Sequence, residues 1–506
     1  MRLRTLLAVL PEAHLEEPED PPSGIGYDPL ITGIECDSRR LGPGGLFVAI
    51  RGGEEKDRHQ FVADAVARGA AAVVVEEQVE AGPAAQVRVP SCRRALAVLA
   101  AHYYGNPGEQ LRLVGITGTK GKTTTAFLVR QILEAAGWPC GYLGTLGCLV
   151  QDQVENSVNT TPEAADLHRL LRAMAEAGKR AAALEVTSHA LALERVAGLR
   201  FDAGIFTNLS RDHLNFHQTW EKYLEAKASL FAQLKEGGVA VVNLDDPVAP
   251  QVLARIPGPA WTFGRAPQSR VALRRVEPSE RGMRLELDTP VGVLMVDTPL
   301  TGDFNCHNVM AAVACGLALE LAPEAVAQGV AALGSVPGRF ERVVAGQGFE
   351  VIVDYAHSPA SLEAVLHTAR GLTRQRLICV FGCGGDRDRG KRPQMGRIAG
   401  ELADLVYVTS DNPRTESPEA IIAQIAAGVE QPGKLQVQPD RRQAIGEALG
   451  AASDGDVVVI AGKGHEPVQI LADRTVPFDD RQVARQVLQE LAPRAGNRRE
   501  PCTTSP

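Results

Sequence analysis

The chain has 506 residues, of which 44% are hydrophobic, and Asp plus Glu (61) outnumber Lys plus Arg (53) to give a formal net charge of −8. The length predicts about three domains, and the apolar content excludes a disordered chain. The acidic balance argues against a general nucleic-acid binder. It does not exclude an anionic substrate, because a local basic pocket can lie within an acidic protein.

The nine cysteines form no CxxC pair, which favours a reduced cytosolic protein over a disulfide-stabilised secreted one. The apolar stretch Leu6–Leu10 ends at Pro11, too soon for a signal peptide or a membrane helix. No other segment approaches the roughly 18 apolar residues needed to cross a bilayer. We therefore expect a cytoplasmic protein that binds no membrane and no nucleic acid, and we expect a monomer.

The first segment alternates strand-like and helix-like stretches, which predicts a small α/β domain over residues 1–107. Its strands are predicted at Gly45–Ile50 and Ala71–Val75, and its helices at Phe61–Arg68 and Arg93–Tyr104. A breaker cluster, Gly105-Asn106-Pro107-Gly108, ends it.

Two further α/β domains are predicted, over residues 108–336 and 337–493. The central domain has predicted strands at Leu111–Ile116, Ala181–Val186, Ala203–Thr207 and Val239–Asn243. The third has predicted strands at Phe349–Asp354, Leu377–Phe381, Leu405–Thr409 and Val457–Ala461. Apolar strands that alternate with helices predict doubly wound, mostly parallel sheets, P-loop ATPase-like in the centre and Rossmann-like in the third domain. The aperiodic tail, residues 494–506, is expected to be disordered.

A glycine-rich loop lies between the predicted strand Leu111–Ile116 and the predicted helix Thr123–Ala136, which is the context of a P-loop. It has the form GTxGKTT, shorter than the general GxxxxGK[S/T] pattern, and consists of Gly118, Thr119, Lys120, Gly121, Lys122, Thr123 and Thr124. Glycine lets backbone N–H groups approach phosphate oxygens, and a helix N-terminus adds a positive dipole. Lys122 is expected to neutralise the β- and γ-phosphates of ATP, and the Thr123 hydroxyl to bind Mg²⁺.

Three more residues permit either a structural or a functional role. Glu185 ends a buried strand, where a carboxylate needs a partner, so it is either a Mg²⁺ ligand at the edge of a parallel sheet or a surface carboxylate. His213 lies in the polar run FTNLSRDHL, and Lys227 lies in the helical run YLEAKASLF. By composition alone, His213 is a hydrogen-bonded surface residue and Lys227 a side chain that extends to solvent.

These separated motifs together resemble the Mur ligases, the ATP-dependent amide-bond-forming enzymes of peptidoglycan assembly. The resemblance covers nearly the whole chain apart from the tail. It is strongest to the members that add the third residue to UDP-N-acetylmuramoyl-L-alanyl-D-glutamate. It implies transfer of the ATP γ-phosphate to the D-Glu side-chain carboxylate and attack of an amine on the acyl phosphate.

The resemblance also implies the residues of the catalytic centre. Lys122, Glu185, His213 and Lys227 are expected to be catalytic. The ligands of Mg²⁺ are expected to be Thr123, Glu185, His213 and Lys227, the last after carbamylation by CO₂, which turns a cation into an anionic oxygen donor.

The resemblance assigns ligand contacts outside the phosphate loop as well. ATP is expected to contact Asn305, on its adenine side, and Arg339, Asp354 and His357, the last two when the third domain closes. The UDP-muramoyl dipeptide is expected to contact Cys36 and Ser38 through its UDP moiety. Its further expected contacts are Asn159, Thr160, Thr161, Thr187 and Arg195. Among these, Arg195 can pair with the D-Glu carboxylate.

The motif Asp411-Asn412-Pro413-Arg414 follows the predicted strand Leu405–Thr409. By itself it is a turn signal, although an Asn and an Arg at this edge can also clamp a carboxylate. In the ligases that the chain resembles, this form goes with meso-diaminopimelate. The expected contacts of that substrate are Arg387, Asp411, Asn412, Pro413, Arg414, Gly462 and Glu466. L-Lysine and L-ornithine stay open as alternatives.

Two other functions are compatible with part of the sequence. Folylpolyglutamate synthetase is an ATP-dependent amide ligase that shares the GTxGK loop, but it usually lacks the Asp-Asn-Pro-Arg motif and a UDP-binding first domain. A regulatory nucleotide-binding module without amide chemistry would need neither Lys227 nor the first domain.

Overall fold

The structure is a computed structural model that describes residues 1–18, 27–52, 57–151, 154–155, 159–279 and 282–491. It contains three large β-sheets whose strands alternate with helices along the chain, which confirms the predicted α/β fold class. The tail for which disorder is predicted, residues 494–506, lies outside the described residues. Within the part of the chain that is described, no helix combines the length and the apolar character needed to cross a bilayer.

The chain forms two compact units. The first consists of Met1–Pro299 and Asn305–Leu333, and the second of Leu300–Phe304 and Gly334–Pro506. The first unit contains two of the large sheets, and the second unit contains the third. The domain boundaries after residues 107 and 336 stay predictions.

The N-terminal part of the first unit carries a five-stranded sheet of order β1-β5-β4-β3-β2, parallel except at β1. Its elements are α1 (Leu3–Leu7), β1 (His14–Glu16), β2 (Ile34–Glu35), β3 (Leu46–Val48), α2 (Val62–Ala67), β4 (Ala72–Val75), β5 (Ala85–Arg88) and α3 (Cys92–Tyr103). Strands β3 and β4 are buried on both faces, since an apolar cluster packs on each side of the sheet.

The larger part of the first unit is built on an eleven-stranded sheet. Its first elements are α4 (Pro107–Gln110), β6 (Arg112–Thr117), α5 (Lys122–Ala135), β7 (Cys140–Gly144), β8 (Gly147–Leu149), β9 (Val154–Glu155), α6 (Ala164–Glu176), β10 (Ala181–Glu185), α7 (Ser188–Ala192), β11 (Phe201–Phe206) and α8 (Leu214–His217). They are followed by α9 (Trp220–Ala228), β12 (Leu234–Asn243), α10 (Ala249–Leu253), β13 (Ala260–Gly264), β14 (Val271–Ser279), β15 (Gly282–Thr289), β16 (Gly292–Thr298), α11 (Asp303–Ala318) and α12 (Pro323–Ala331).

The middle of this sheet is parallel, with β6 between β10 and β11. The carboxyl ends of these three strands, at Thr117, Glu185 and Phe206, therefore lie along one edge. This is the edge at which ligands bind in open α/β sheets. The antiparallel strands β14, β15 and β16 extend the sheet on one side, and the sequence analysis did not predict them.

The second unit carries a six-stranded sheet of order β17-β18-β22-β19-β20-β21, parallel except at β17. The elements of the second unit are β17 (Glu341–Arg342), β18 (Glu350–Asp354), α13 (Pro359–Leu372), β19 (Leu377–Phe381), α14 (Lys391–Leu402), β20 (Leu405–Val408), α15 (Pro418–Ala426), β21 (Leu435–Val437), α16 (Arg441–Ala451), β22 (Val457–Ala461), β23 (Val468–Ile470), β24 (Thr475–Pro477) and α17 (Asp480–Leu491). Of these strands, β23 and β24 pair only with each other.

His168 on α6 makes the stability of the first unit depend on pH. The residue is 1% exposed and neither ring nitrogen has a hydrogen-bond partner among the described residues. Burial lowers the pKa of His168 from 6.5 to about 4, so the unfolded chain binds a proton between these values that the folded chain does not. The stability contributed by the neutral ring is complete above pH 6.5 and is lost as the pH falls towards 4.

Because of this ring, the free energy of unfolding of the parent falls by about 2 kcal/mol more between pH 7 and pH 5 than it otherwise would. We therefore expect that additional fall to disappear in His168→Leu. Urea unfolding of the parent and the variant at both pH values measures this difference. The control is His14→Leu, which makes the same change at an exposed position. An unchanged pH dependence in His168→Leu would contradict the prediction.

Candidate active site

The phosphate loop connects β6 to α5, and two of its glycines have left-handed backbone conformations. The φ angle is +145° at Gly118 and +85° at Gly121. A Cβ atom at position 118 would lie 1.9 Å from Oγ1 of Thr207, and one at position 121 would lie 2.4 Å from Oδ1 of Asn308. Both positions therefore require glycine for space as well as for conformation.

Polar residues that follow β11 hold this loop in place. The Thr207 hydroxyl donates to the Lys120 carbonyl at 2.6 Å, and Nδ2 of Asn208 donates to the same carbonyl at 3.0 Å. The Lys120 amide donates to Oδ1 of Asn208 at 2.9 Å. The sequence analysis missed Thr207 and Asn208 as site residues, although the run of polar residues after a buried strand was a usable signal.

The ammonium of Lys122 faces the loop that precedes it. It donates to the carbonyls of Gly118 at 3.0 Å and Thr119 at 3.1 Å. Thr123 and Thr124 are buried in the first turn of α5, where the positive end of the helix dipole favours an anion. The structure thus brings the predicted P-loop residues together at the loop between β6 and α5 and at the start of that helix.

Lys227 on α9 reaches the same loop from within the protein. The residue is 1% exposed, and its Nζ donates to the Gly118 carbonyl at 2.8 Å and lies 4.6 Å from the ring centroid of Tyr223. Desolvation, reinforced by the nearby charge of Lys122, lowers the pKa of Lys227 well below its ordinary value. The structure therefore contradicts the expectation from composition that this side chain extends to solvent.

Glu185 is fixed at the carboxyl end of β10 by three donors. Its Oε1 accepts from the Tyr142 hydroxyl at 2.5 Å and from the Thr145 amide at 3.0 Å, and its Oε2 accepts from the Thr145 hydroxyl at 3.1 Å. The residue is 1% exposed. A buried carboxylate with this many donors keeps its orientation, and Tyr142 and Thr145 are contacts that the sequence did not reveal.

His213 lies in a cluster of aromatic rings before α8. Its ring centroid is 4.7 Å from that of His189, which is 4.2 Å from the ring of Phe216 and 5.5 Å from that of His217. Desolvation lowers the pKa of His213 to about 4, so the imidazole is neutral near pH 7. A neutral ring has a nitrogen lone pair for a metal ion or for a hydrogen bond.

Two of the predicted Mg²⁺ ligands fit the chemistry of that ion directly. Magnesium prefers oxygen and is usually bound by one or two carboxylates together with substrate phosphates. The Thr123 hydroxyl and the Glu185 carboxylate are such oxygen donors, whereas His213 offers a ring nitrogen and Nζ of Lys227 becomes an oxygen ligand only as a carbamate. Among the described residues, no three His, Cys, Asp or Glu side chains converge as a ready-made metal site.

Five of the residues predicted for the muramoyl dipeptide lie near Glu185. The Thr161 hydroxyl donates to the Glu185 carbonyl at 2.8 Å and is 3.2 Å from the Thr187 hydroxyl. The Thr160 hydroxyl is 3.2 Å from that of Thr145, and Asn159 precedes it. Arg195 donates from Nη1 to the Thr161 carbonyl at 3.2 Å. These residues therefore form one polar surface beside the end of β10.

The residues predicted for the UDP moiety, Cys36 and Ser38, lie at a turn after β2. Both are buried. Arg58 donates from Nη1 to the Cys36 carbonyl at 2.6 Å. The turn is closed by Asp37, whose side chain accepts from the Arg39 amide at 3.0 Å.

Asn305, predicted on the adenine side, lies on α11 and is 2% exposed. Its Oδ1 accepts from Nδ2 of Asn308 at 2.9 Å, and Oδ1 of Asn308 accepts from the Thr125 hydroxyl at 3.3 Å. This buried chain of amides ties α11 to the helix that follows the phosphate loop.

In the second unit, three residues predicted to contact ATP lie around the end of β18. Oδ2 of Asp354 accepts from the Phe340 amide at 2.7 Å, directly after Arg339. The Arg339 guanidinium lies 4.9 Å from the ring centroid of Tyr355. His357 donates from Nδ1 to the Tyr355 carbonyl at 2.8 Å. The three predicted residues are therefore neighbours in space.

The residues predicted for the amino-acid acceptor form a second cluster in this unit, around a buried lysine. Nδ2 of Asn412 donates to Oε2 of Glu466 at 2.8 Å. Lys463, which is fully buried, donates to Oδ1 of Asn412 at 3.0 Å and lies 3.2 Å from Oε2 of Glu466. The Tyr355 hydroxyl is 3.5 Å from Oε1 of Glu466. Lys463 and Tyr355 were not predicted as site residues.

The neighbouring loops place the other predicted acceptor residues. Gly462 has φ of +115°, and a Cβ atom there would lie 2.6 Å from Oδ2 of Asp411. Arg414 donates from Nη1 to the Gly385 carbonyl at 2.9 Å. A Cβ atom on Gly385 would lie 1.9 Å from the Pro413 carbonyl. Arg387 is exposed on the loop after β19.

A buried ion pair fixes two of the strand ends that carry this cluster. Arg441 on α16 donates from Nε and Nη2 to the Asp480 carboxylate at 2.8 and 2.7 Å, and both side chains are fully buried. Arg441 also donates to the carbonyls of Ser410 at 3.3 Å and Ala461 at 2.9 Å. These carbonyls immediately precede Asp411 and Gly462, so this pair positions both motifs.

Comparison with known protein families gives three consecutive matches. The model described as Mur ligase family, catalytic domain, matches residues 30–104. Mur ligase middle domain matches residues 116–316, and Mur ligase, glutamate ligase domain, matches residues 338–464.

Individual proteins are similar over most of the chain. A UDP-N-acetylmuramoyl-L-alanyl-D-glutamate--2,6-diaminopimelate ligase from Gloeobacter violaceus is 47% identical over 461 residues, which are 90% of this chain and 94% of that protein. A solved structure with the same enzyme name has a TM-score of 0.65 at 34% identity and covers 91% of this chain and 95% of its own. Folylpolyglutamate synthase of Mycobacterium tuberculosis, solved with ADP and AMPPCP, has a TM-score of 0.62 at 22% identity and covers 73% of this chain and 92% of its own. At that identity the likeness shows the fold alone.

Gly118 offers a test of the phosphate loop. We expect Gly118→Ala to weaken ATP binding by about 10- to 100-fold, because the left-handed backbone and the Thr207 hydroxyl both oppose a Cβ atom. Titration calorimetry with ATP and Mg²⁺ measures the affinity. The control is Gly137→Ala, where φ is +77° but nothing lies within 4 Å of the added atom. Equal ATP affinity in Gly118→Ala and the parent would show that the loop does not hold the phosphates.

Proposed function

The chain belongs to the Mur ligase family, and we propose that it joins meso-diaminopimelate to UDP-N-acetylmuramoyl-L-alanyl-D-glutamate with the conversion of ATP to ADP and phosphate. The observation that carries this proposal is the buried contact between Nζ of Lys227 and the carbonyl of Gly118 in the phosphate loop. This contact supports a role for the Lys227 amine next to the phosphate loop. A regulatory nucleotide-binding module has no use for such an amine.

The reaction proceeds in two steps. A D-Glu side-chain carboxylate oxygen forms a bond to the γ-phosphorus of ATP while the bond from that phosphorus to the β–γ bridging oxygen breaks, and ADP leaves. The amine of the acceptor then attacks the acyl carbon, the tetrahedral intermediate expels phosphate, and the nitrogen loses a proton to leave the amide. Lys122 and Arg339 offset the negative charge of the transferring group. Mg²⁺, when bound through Thr123 and Glu185, supplies further charge compensation to the phosphates.

Lys227 is proposed to act as a carbamate. Its low pKa makes the uncharged amine available, and only that form attacks CO₂. The product replaces a neutral amine with an anion close to Lys122, whose positive charge opposes the protonated form of Lys227. Carbamylation therefore gives Lys122 an oppositely charged neighbour and adds an oxygen ligand for Mg²⁺.

The acceptor is proposed to bind at the cluster of Asn412, Glu466 and Arg414. The Glu466 carboxylate, held by Asn412 and Lys463, suits the distal ammonium of a diamino acid. Arg414 and the exposed Arg387 suit a carboxylate. Diaminopimelate has both groups at its distal end, whereas lysine and ornithine have the ammonium alone. We further propose that the enzyme acts in the cytoplasm as a monomer.

Product analysis tests the reaction and the acceptor. The protein is incubated with ATP, Mg²⁺ and the UDP-muramoyl dipeptide, with diaminopimelate, lysine or ornithine in parallel, and products are identified by mass. We expect ADP, phosphate and one amide product, with diaminopimelate preferred. Phosphate release with a tetrahydrofolate plus glutamate, and not with the UDP-muramoyl dipeptide, would instead identify a folylpolyglutamate synthetase-like enzyme.

Lys227→Ala tests the carbamate. We expect a loss in kcat of about 100-fold or more, with partial recovery when a short carboxylic acid is added, because the acid replaces the missing carbamate oxygens. The control is Lys222→Ala, which removes an exposed lysine from the same helix and should leave kcat unchanged. Full activity of Lys227→Ala without any added acid would refute the assignment.

A further inference from the structure

Arg93, in the first unit, is not among the residues assigned so far. It lies in the first turn of α3, and Arg195 follows α7. Their side chains are only 16% and 11% exposed, and both approach the same carboxylate, Glu163, at 3.9 Å and 2.8 Å. Two half-buried cations therefore share one anion.

The position of Arg93 is electrostatically unfavourable in the absence of a further anion. The first turn of a helix carries the positive end of the dipole, where acidic side chains are favoured and basic ones are not. Desolvation is the main cause that lowers the pKa of Arg93, and the charges of Arg195 and Arg58 add to it. The amide at the start of α3 is already used, since the Cys92 N–H donates to Oε1 of Glu76 at 2.9 Å. An anion at this place would therefore contact guanidinium groups rather than the helix terminus.

The guanidinium of Arg93 has an unused donor edge. Its Nε donates to the Arg51 carbonyl at 3.0 Å and its Nη1 to the Leu193 carbonyl at 3.4 Å. Nη2 has no partner in the part of the chain that is described. Nε of Arg195 is buried and likewise lacks a partner there. The two backbone contacts hold the fork of Arg93 in place and leave one side of it available.

The neighbours of Arg93 indicate which anion belongs there. On one side, Arg58 contacts the Cys36 carbonyl at the turn predicted to hold the UDP moiety. On the other side, Arg195 contacts the Thr161 carbonyl on the surface proposed to hold the dipeptide. In UDP-N-acetylmuramoyl-L-alanyl-D-glutamate, the group that lies between uridine and the sugar-linked dipeptide and carries negative charge is the diphosphate.

We infer that Arg93 binds the diphosphate of the nucleotide-sugar substrate, between the turn at Cys36 that is predicted to hold the UDP moiety and the dipeptide-side residue Arg195. The inference deepens the proposed function and rests on it for the identity of the substrate. An arginine fork suits a phosphate because two parallel N–H donors match two phosphate oxygens. Binding also adds the missing negative charge to a pair of cations that otherwise share Glu163.

The test compares nucleosides and nucleotides in the full-length protein with ADP at saturation, so that the phosphate loop is occupied. Titration calorimetry measures the affinities for uridine, UDP, UDP-N-acetylmuramic acid and the UDP-muramoyl dipeptide. We expect Arg93→Met to weaken UDP binding by about 10- to 100-fold and to leave uridine binding unchanged. Arg93→Met should bind the UDP-muramoyl dipeptide and UDP-N-acetylmuramic acid with the same ratio of affinities as the parent, because Arg93 does not bind the peptide carboxylates.

Two further variants separate binding from folding. Arg93→Lys keeps the charge but not the planar fork, and a smaller loss of UDP affinity, about 3- to 10-fold, is expected. Arg94→Met makes the same change as Arg93→Met at the next position of the helix, where the side chain is exposed, and should bind UDP as the parent does. Thermal unfolding of each variant without ligand shows whether the fold is kept.

The outcomes distinguish the inference from the proposed function. If the parent does not bind the UDP-muramoyl dipeptide, the proposed function fails and the inference fails with it. If the parent binds it and both Arg93 variants bind UDP with the same affinity as the parent, only the inference is overturned. The inference would also be overturned if the Arg93 variants bound UDP as the parent does but no longer bound the UDP-muramoyl dipeptide more tightly than UDP-N-acetylmuramic acid. Arg93 would then bind a carboxylate of the peptide.

Discussion

The contact between the Lys227 amine and the Gly118 carbonyl is the constraint on which the candidate site depends. It joins α9 to the phosphate loop, and the loop is in turn fixed by Thr207 and Asn208 after β11. Because Gly118 lies against Thr207, the loop has little room to move away from Lys227. An ammonium buried this way is poorly solvated, so its neutral form or an anionic derivative is favoured there. The contacts that fix the geometry of the phosphate loop therefore also determine the protonation and the reactivity of Lys227.

The same topological rule places functional groups in both units. In the first unit, polar residues follow β6, β10 and β11, which are neighbouring parallel strands. In the second unit they follow β18, β19, β20 and β22, which are also neighbours in a parallel sheet. The carboxyl ends of parallel strands meet at one edge, and residues far apart in the chain therefore become neighbours. Buried groups such as the Arg441–Asp480 pair then fix these ends relative to one another.

The sequence was informative where local patterns decide the structure. Apolar runs predicted the central parallel strands, and the glycine-rich loop was correctly placed between β6 and α5. The antiparallel strands β14 to β16 were missed because their outer face is polar and their alternation is weaker than a buried run. Lys463 was missed because a lysine between two glycines is typical of an exposed loop, and only the tertiary structure buries it against Asn412 and Glu466.

Contacts made across the sheet could not be inferred from spacing for a similar reason. Tyr142 and Thr145 become partners of Glu185 only because β7 pairs with β10. For Asn412, the sequence predicted a direct contact with a ligand carboxylate. In the structure one N–H of its amide donates to Glu466 and its oxygen accepts from Lys463. The sequence did not reveal these contacts, and the predicted contact of Asn412 with a ligand stays a prediction.

Five cations with little exposure to solvent fall into two groups according to their partners. Arg392 is paired with Glu416, Arg441 with Asp480, and Lys463 with Glu466, so each charge is compensated within the protein. Lys227 has no carboxylate partner among the described residues, and Arg93 shares Glu163 with Arg195 at the longer distance. A cation that is removed from water and left undercompensated lowers the stability of the folded chain. Such a residue is retained when the missing charge comes from a ligand or from a chemical modification, which is the physical reason for assigning function to Lys227 and Arg93 rather than to the paired cations.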